Sequence, residues 1–293
     1  MSDSIQWGRL PVSVREAIEE HTGPVTDSVR GGAGFRTGMR LILHTETGDV
    51  FVKGIGPDGG DIERGDLDLG AELAPFVPAS PSLSFKGQAD GWVFTGWQAV
   101  EGRQASMKPG SDDIPLMVGL LAELGEIEAP DVPGLRTAGK DWGGEDPTLS
   151  GGHMLVHTDP HGGNFIVQPN RTWMIDLGHA VRGPGWLTSA RFILYLMRAG
   201  WTAAEAEAVV MDVPAWARAD PEQITAHAVS GAETWYRANN QYPVPQVWRD
   251  IIHEWAEHRV RSRHLQVGSP FRRAAPNDIR PVEPVVAAVR CQW

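Results

Sequence analysis

Apolar residues in this chain come in short runs, and turn residues mark where each run stops. Met154-Leu155-Val156, Phe165-Ile166-Val167 and Trp173-Met174-Ile175 are three such runs. Their length and their flanking turn residues predict short buried strands. Gln168-Pro169-Asn170-Arg171 has the chemistry to reverse the chain between the last two. Further strands are expected from Val29, over 39–44, over 50–54, over 82–85 and from Trp92 onward. A glycine-rich turn over 31–38 separates the first two, Thr45-Glu46-Thr47-Gly48-Asp49 the next pair, and Asp90-Gly91 the last pair. Helical spacing begins near Pro11 and ends at His21-Thr22-Gly23-Pro24. It returns over 58–72, after the N-cap chemistry of Ser111-Asp112-Asp113-Ile114-Pro115, and over 187–197. It returns again over 203–211 behind Thr202, over 223–239, and over 246–265. The loop over 129–152 and the Pro- and Arg-rich tail from Gly268 carry no period and read as irregular.

Composition narrows the class. At 293 residues the chain is long enough for two lobes, each with its own core. No run of 18 apolar residues occurs, so no membrane span is expected. The first residues have neither a basic nor an apolar leader segment, and the single Cys291 has no internal partner; a cytoplasmic setting fits both. A net charge of −11 argues against a nucleic-acid binder, which needs a basic face. The same acidity aids solubility and is compatible with drawing in a cationic small molecule.

The chemistry concentrates in one place. His157-Thr158-Asp159-Pro160-His161-Gly162-Gly163-Asn164 precedes the predicted hairpin, and Asp176 follows it. That folding puts Asn164 and Asp176 at neighbouring hairpin ends, with Asp159 in the loop before. A carboxylate and a carboxamide so placed can hold a hard cation such as Mg²⁺, leaving Asp159 to accept a proton. His157 and His161 lack the Glu of a metalloprotease helix, so zinc is not expected. After Asp176 the chain turns at Gly183-Pro184-Gly185 and enters a helix almost at once, leaving no room for the long segment that receives protein substrates.

His157-x-Asp159-x(4)-Asn164, then Ile175-Asp176 beyond an apolar hairpin, is similar to the catalytic loop and metal-binding aspartate of kinases. The form resembles the aminoglycoside phosphotransferase family, the small-molecule branch of the protein-kinase-like fold. The resemblance implies a two-lobed α+β fold. Residues 1–100 would form a nucleotide-binding lobe of antiparallel sheet plus helix. Residues 101–293 would form a mainly helical catalytic and acceptor-binding lobe. It also implies ATP (or GTP) and Mg²⁺ as cofactors. Lys53 would hold the phosphates, Gly34 and Gly38 would flank the tip of the nucleotide-covering loop, and the backbone at Gln98 and Val100 would meet the adenine edge. Asp159 would be the base, His157 would support its loop, and Asn164 and Asp176 would bind the metal.

Two departures stand out. Gly70 falls where the glutamate that pairs with the lysine is usual; Glu63, Asp68 or Glu72 could substitute, and Glu72 is the choice made here. Leu187-Thr188-Ser189 stands where relatives place an aspartate after the Gly-Pro turn, with a structural consequence expected. The C-terminal helices would line the acceptor pocket, with Glu233, Trp235, Tyr236, Asp250, Glu254 and Trp255 as candidates. The implied activity is transfer of a γ-phosphoryl group to a hydroxyl of a small molecule, an aminoglycoside or other antibiotic. A metabolite kinase (sugar, amino alcohol or nucleoside) and a nucleotide-binding pseudokinase are the alternatives.

Overall fold

A computed structural model describes residues 5–31, 38–139, 149, 151–238 and 244–267. Pro11 precedes α1 (Val12–Thr22), and Gly23 closes it with a φ of 73° that an L side chain resists. Next come β1 (Val25–Arg30), β2 (Gly38–Thr45) and β3 (Gly48–Ile55). α2 (Asp61–Leu73) follows, then β4 (Leu83–Ala89) and β5 (Trp92–Gln98). The strands form one antiparallel sheet in the order β1-β2-β3-β5-β4. Asp90 and Gly91 both have positive φ, as a two-residue hairpin turn requires.

Alternation decides which face of this sheet is buried. Met39, Leu41 and Leu43 of β2 and Val52 of β3 are at most 2% exposed and pack with Val14 and Ile18 of α1. That leaves Arg40, Ile42, Lys53 and Phe51 on the opposite face, in cross-strand register as Arg40 with Lys53 and Ile42 with Phe51.

The remaining chain is mainly helical. β6 (Arg103–Gln104) joins β9 (Phe165–Val167) and β10 (Thr172–Met174) in the order β10-β9-β6. β7 (Arg136–Thr137), β8 (Met154–Val156) and β11 (Val181–Gly183) form a second small sheet, with β11 central. The helices are α3 (Asp113–Leu124), α4 (Leu187–Arg198), α5 (Ala203–Val210), α6 (Pro214–Ala217), α7 (Pro221–Ala238) and α8 (Gln246–Val267). Leu121, Leu155, Phe165, Phe192 and Trp255 sit in its core. Leu69 and Leu73 of α2 belong to this core as well, so α2 ties the sheet to the helices.

The expected α+β architecture is observed: an antiparallel-sheet lobe and a mainly helical lobe with a small hairpin. The expected hairpin is present, with Thr172 opposite Val167 and Met174 opposite Phe165. The short strands β6, β7 and β11 and the one-turn α6 carry too few residues for a periodic signal. α3 starts at Asp113 with no side-chain cap from Asp112. Instead the carboxylate of Asp113 accepts two hydrogen bonds from Arg103, at 2.5 and 2.6 Å, and one from Ser106 N–H at 2.8 Å. Arg103 thereby holds that carboxyl below the usual carboxylate range. Among the described residues no helix is long and apolar enough to cross a membrane.

Candidate active site

The loop between β8 and β9 is held in shape by its own histidine. The His157 side chain is fully buried, and its Nδ1 accepts the backbone N–H of Asp159 at 3.2 Å. Nε2 must then carry the proton, which it donates to the carbonyl of Ile175 at 3.2 Å. Both roles need a neutral ring, and burial lowers the His157 pKa accordingly. The His157 N–H donates to the hydroxyl of Thr188 at 3.1 Å. That buried hydroxyl stands where relatives were expected to place an aspartate, and it supplies the acceptor the loop needs.

Asp159 is reached from three directions. Asn164 Nδ2 donates to its backbone carbonyl at 2.8 Å and to Oδ2 at 3.3 Å. Tyr195, from α4, donates its phenolic proton to Oδ1. His161 Nδ1 accepts from Gly163 N–H at 3.0 Å, so Nε2 bears the proton and faces Asp159 Oδ2 at 3.5 Å. Thr158, next to Asp159, donates its hydroxyl to the carbonyl of His179 at 2.7 Å.

The hairpin brings Asp176 alongside. Ile175 N–H donates to the Asn164 carbonyl at 2.9 Å. Asp176 itself has φ 62° and ψ 55°, left-handed for a residue with a side chain. Holding it there costs on the order of 1–3 kcal/mol, and such strain collects at functional positions. The turn aims the carboxylate at the small lobe, where Lys53 Nζ lies 2.7 Å from Oδ1 and Arg40 Nη2 lies 3.6 Å from Oδ2. Burial alone would push the Asp176 pKa up; the charges of Lys53 and Arg40 outweigh it and hold the group well below the usual carboxylate range.

α2 rests directly on the turn after Asp176. A Cβ on Gly178 would lie 2.3 Å from the Asp66 carbonyl oxygen, and one on Gly70 would lie 3.4 Å from Gly178 N. Asp66 of α2 reaches Arg136 at 3.5 Å and His179 at 3.4 Å. Burial raises its pKa, against the opposing pull of His179, Arg136 and Lys53.

These elements gather Lys53, Asp159, Asn164 and Asp176, with His157 buried behind them. The expected pairing of Lys53 with Glu72 is not what the structure has. Glu72 bonds Lys86 of β4 at 2.9 Å, and Asp68 lies 3.2 Å from the same ammonium. These side chains sit on the outer, exposed flank of α2, whereas Lys53 faces Asp176. Gly38 is the first residue of β2, and a Cβ there would meet the Gly54 carbonyl at 2.7 Å. Gly31 is the glycine that lets the end of β1 close on the sheet, because a Cβ there would meet the Phe51 ring at 2.5 Å. Gly34 lies outside the described residues. Gln98 ends β5 with its N–H donated to the Ser82 carbonyl at 2.9 Å, and Val100 follows in half-buried loop.

Of the acceptor-lining candidates, Trp255 is fully buried, its indole N–H donated to Glu207 at 2.7 Å, so it belongs to the core. Glu233, Asp250 and Glu254 are exposed, and the Tyr236 side chain lies outside the described residues. Trp235 meets Trp248 edge-on at 6.5 Å; Trp248 meets Tyr195 at 5.2 Å, and Tyr195 meets His161 at 5.6 Å. This row of aromatic rings leads from α7 and α8 to Asp159. Sequence reading missed Tyr195, Trp248 and Arg40 as site residues. Tyr195 and Arg40 had a weak signal, each being polar at an otherwise apolar or alternating position.

Whether the cleft suits Mg²⁺ can be judged from its donors. Asn164 spends its amide N–H on Asp159, which leaves its carbonyl oxygen as the acceptor end. With Asp176 this is an all-oxygen pair, fitting a hard cation that also takes water and phosphate oxygens. No cluster of three or more His, Cys, Asp or Glu suited to a metal occurs among the described residues.

No protein-family model matches the chain, and no curated protein matches its sequence. Its fold does have solved counterparts. It is similar to the choline kinase LicA from Streptococcus pneumoniae, with a TM-score of 0.54 and 11% identity, over 85% of this chain and 98% of that one. It is similar to a spectinomycin phosphotransferase in complex with ADP and spectinomycin, with a TM-score of 0.50 and 12% identity, over 82% and 92%. It is similar to the aminoglycoside phosphotransferase APH(4)-Ia, with a TM-score of 0.50 and 11% identity, over 85% and 98%. The chain has the protein-kinase-like fold of the small-molecule kinases.

Proposed function

We propose that this protein is a Mg²⁺-dependent phosphotransferase that moves the γ-phosphoryl group of ATP (or GTP) to a hydroxyl of a small molecule. One observation carries the reading: Lys53 from the sheet lobe and Asp176 from the helical lobe meet at 2.7 Å, beside a loop that presents Asp159. The lobes would divide near residue 100, with the nucleotide between them. Lys53 holds inner phosphates as a point charge, and the backbone at Gln98 and Val100 meets the base. The apolar row Ile42, Phe51 and Trp97, in cross-strand register on the cleft face, offers the base a flat surface. Asn164 and Asp176 hold Mg²⁺, which when bound supplies neutralising charge to the phosphates. Asp159 orients the acceptor hydroxyl and takes its proton. His157 keeps that loop in shape by spending both ring nitrogens on backbone groups. Catalysis is then mostly positioning and charge stabilisation.

The acceptor is a small hydroxylated molecule, an aminoglycoside or other antibiotic, or a metabolite such as a sugar, amino alcohol or nucleoside. The chain's acidity is compatible with a cationic one and argues against a nucleic-acid partner. A cytoplasmic location fits ATP as donor. The deciding experiment incubates the protein with Mg·ATP and a panel of these compounds and reads phosphate adducts by mass spectrometry. Asp159→Ala is expected to keep nucleotide binding and lose about 10²–10⁴-fold in turnover. Full activity in that variant defeats the assignment. Nucleotide binding without transfer to any acceptor, or hydrolysis, would favour a pseudokinase.

A further inference from the structure

The turn that closes the β9–β10 hairpin does more than reverse the chain. Gln168 N–H donates to the Arg171 carbonyl at 2.8 Å and shuts the turn. The Gln168 side chain then holds two partners. Its Oε1 accepts the indole N–H of the buried Trp173 at 2.9 Å, and its Nε2 donates to the backbone carbonyl of Glu101 at 2.7 Å. An indole N–H only donates and a backbone carbonyl only accepts, so the amide has one orientation. Gly102 then runs against β9, where a Cβ would meet the Val167 carbonyl at 2.8 Å. Arg171 works on the other side. Its guanidinium lies 3.6 Å from the centre of the Trp173 ring and donates to the Pro78 carbonyl at 2.9 Å. Met174 N–H donates to the Ala79 carbonyl at 2.8 Å, and Val77 and Ala79 are buried in the core of the helical lobe.

One end of the hairpin therefore grips the chain as it leaves β5. The other end carries Asn164 and Asp176. Three paired residues separate the two ends, about 10 Å at the rise of a strand. A hydrogen-bonded ladder of this length does not stretch, so it sets the spacing between the Glu101 carbonyl and the Asn164–Asp176 pair. Glu101 is one residue beyond Val100, whose backbone is assigned above to the base. A segment left unpinned there could turn its peptide planes, and it would lose that freedom each time a base bound.

We propose that Gln168 is a positioning residue for the nucleotide: through the Glu101 carbonyl it pre-orders the backbone that meets the base, at a set distance from the Asn164–Asp176 pair. This rests on the nucleotide-site reading above.

The test separates the two bonds of the amide. Gln168→Glu keeps an acceptor for Trp173 and turns a carboxylate on the Glu101 carbonyl, whereas Gln168→Leu removes both bonds. Calorimetry at pH 8 titrates Mg·ATP, Mg·GTP and Mg·tripolyphosphate into each variant and the wild type, followed by the nucleoside of the tighter nucleotide. Gln168→Glu is expected to weaken that nucleotide and its nucleoside by the same factor, about 3–10-fold, the usual value of one hydrogen bond. Mg·tripolyphosphate, which has no base, should bind as it does to the wild type. Thermal unfolding confirms that each variant is folded. Wild-type nucleotide affinity in Gln168→Glu, with loss confined to Gln168→Leu, would assign the residue to Trp173 alone and overturn the proposal. So would an equal loss for Mg·tripolyphosphate, which marks a general change of shape. A wild type that binds Mg·tripolyphosphate as tightly as either nucleotide has no base site on this backbone; the base reading then fails first, and the role of Gln168 with it.

Discussion

The phenol of Tyr195 donates its proton to Oδ1 of Asp159, so a helix that the sequence marks only as core reaches the carboxylate at the centre of the cleft. Asn164 holds Oδ2 of the same group at 3.3 Å. With one oxygen fixed by the loop and the other by α4, the carboxylate has a single orientation. Tyr195→Phe removes this hydroxyl while keeping the ring against Trp248 and His161. It is expected to lower kcat about tenfold, the value of one hydrogen bond to a charged group, and to leave the KM for ATP unchanged. Steady-state kinetics on the identified acceptor reads this directly. An unaltered kcat would mean that Asn164 and His161 suffice to orient Asp159.

Glu72 gives the opposite kind of prediction. It sits on the outer flank of α2, 42% exposed, and bonds Lys86. Exposed pairs of this sort contribute roughly 0–1 kcal/mol. Glu72→Ala is therefore expected to shift stability by less than about 1 kcal/mol and to leave phosphate transfer near the wild-type rate. A large loss of activity would restore Glu72 as a partner of the nucleotide site and overturn the placement of its side chain.

The hairpin over 165–174 was legible because everything it needs is local. Strand runs, a turn and polar residues at fixed spacing lie within 157–176, and folding them in any context brings Asn164 and Asp176 together. The partner of Lys53 was not legible, because it depends on how α2 rolls against the sheet and the 177–179 turn. Spacing along a helix offers Glu63, Asp68 and Glu72 equally. The structure selects none of them: α2 seats with Gly70 against Gly178, Lys86 of β4 takes Asp68 and Glu72, and Lys53 turns to Asp176. Trp255 misled for a related reason. An aromatic residue on an amphipathic helix reads alike whether it faces core or pocket, and here the half-buried Glu207 takes its N–H. Arg40 reads in sequence as the solvent side of a half-buried strand; only the opposing lobe turns that side into a cleft.

The seat of α2 can be tested through two glycines that behave differently. A Cβ on Gly178 would lie 2.3 Å from a backbone oxygen of Asp66, which cannot swing aside. Gly178→Ala is expected to destabilise by about 1–3 kcal/mol, as overpacking does. A Cβ on Gly70 would lie 3.4 Å from Gly178 N, at the edge of ordinary contact. There the helix gains alanine's propensity, worth about 0.5–1 kcal/mol over glycine, so Gly70→Ala is expected to be neutral or mildly stabilising. Urea unfolding of the two variants separates them. Equal destabilisation would show that α2 does not rest on the turn as described.

His157 predicts how stability follows pH. Burial depresses its folded pKa below the roughly 6.5 of an unfolded histidine. The unfolded chain therefore binds the proton first as pH falls, and stability that is fully present above about pH 6.5 drains away as pH drops toward the folded value. Asp176, held below the usual carboxylate range, loses its contribution only as pH falls from about 4 toward the folded value, so it adds no slope near neutrality. Asp66 acts in the reverse sense: its raised folded pKa gives a contribution that is complete below about pH 4 and fades as pH rises through the folded value. Urea unfolding free energies measured from pH 8 to 5 should fall for the wild type. His157→Gln should be less stable throughout yet show a shallower fall, because glutamine has no proton to gain. A wild-type slope identical to that of His157→Gln would mean that the ring takes up its proton at the same pH folded and unfolded, which a buried Nδ1 that accepts the N–H of Asp159 does not allow.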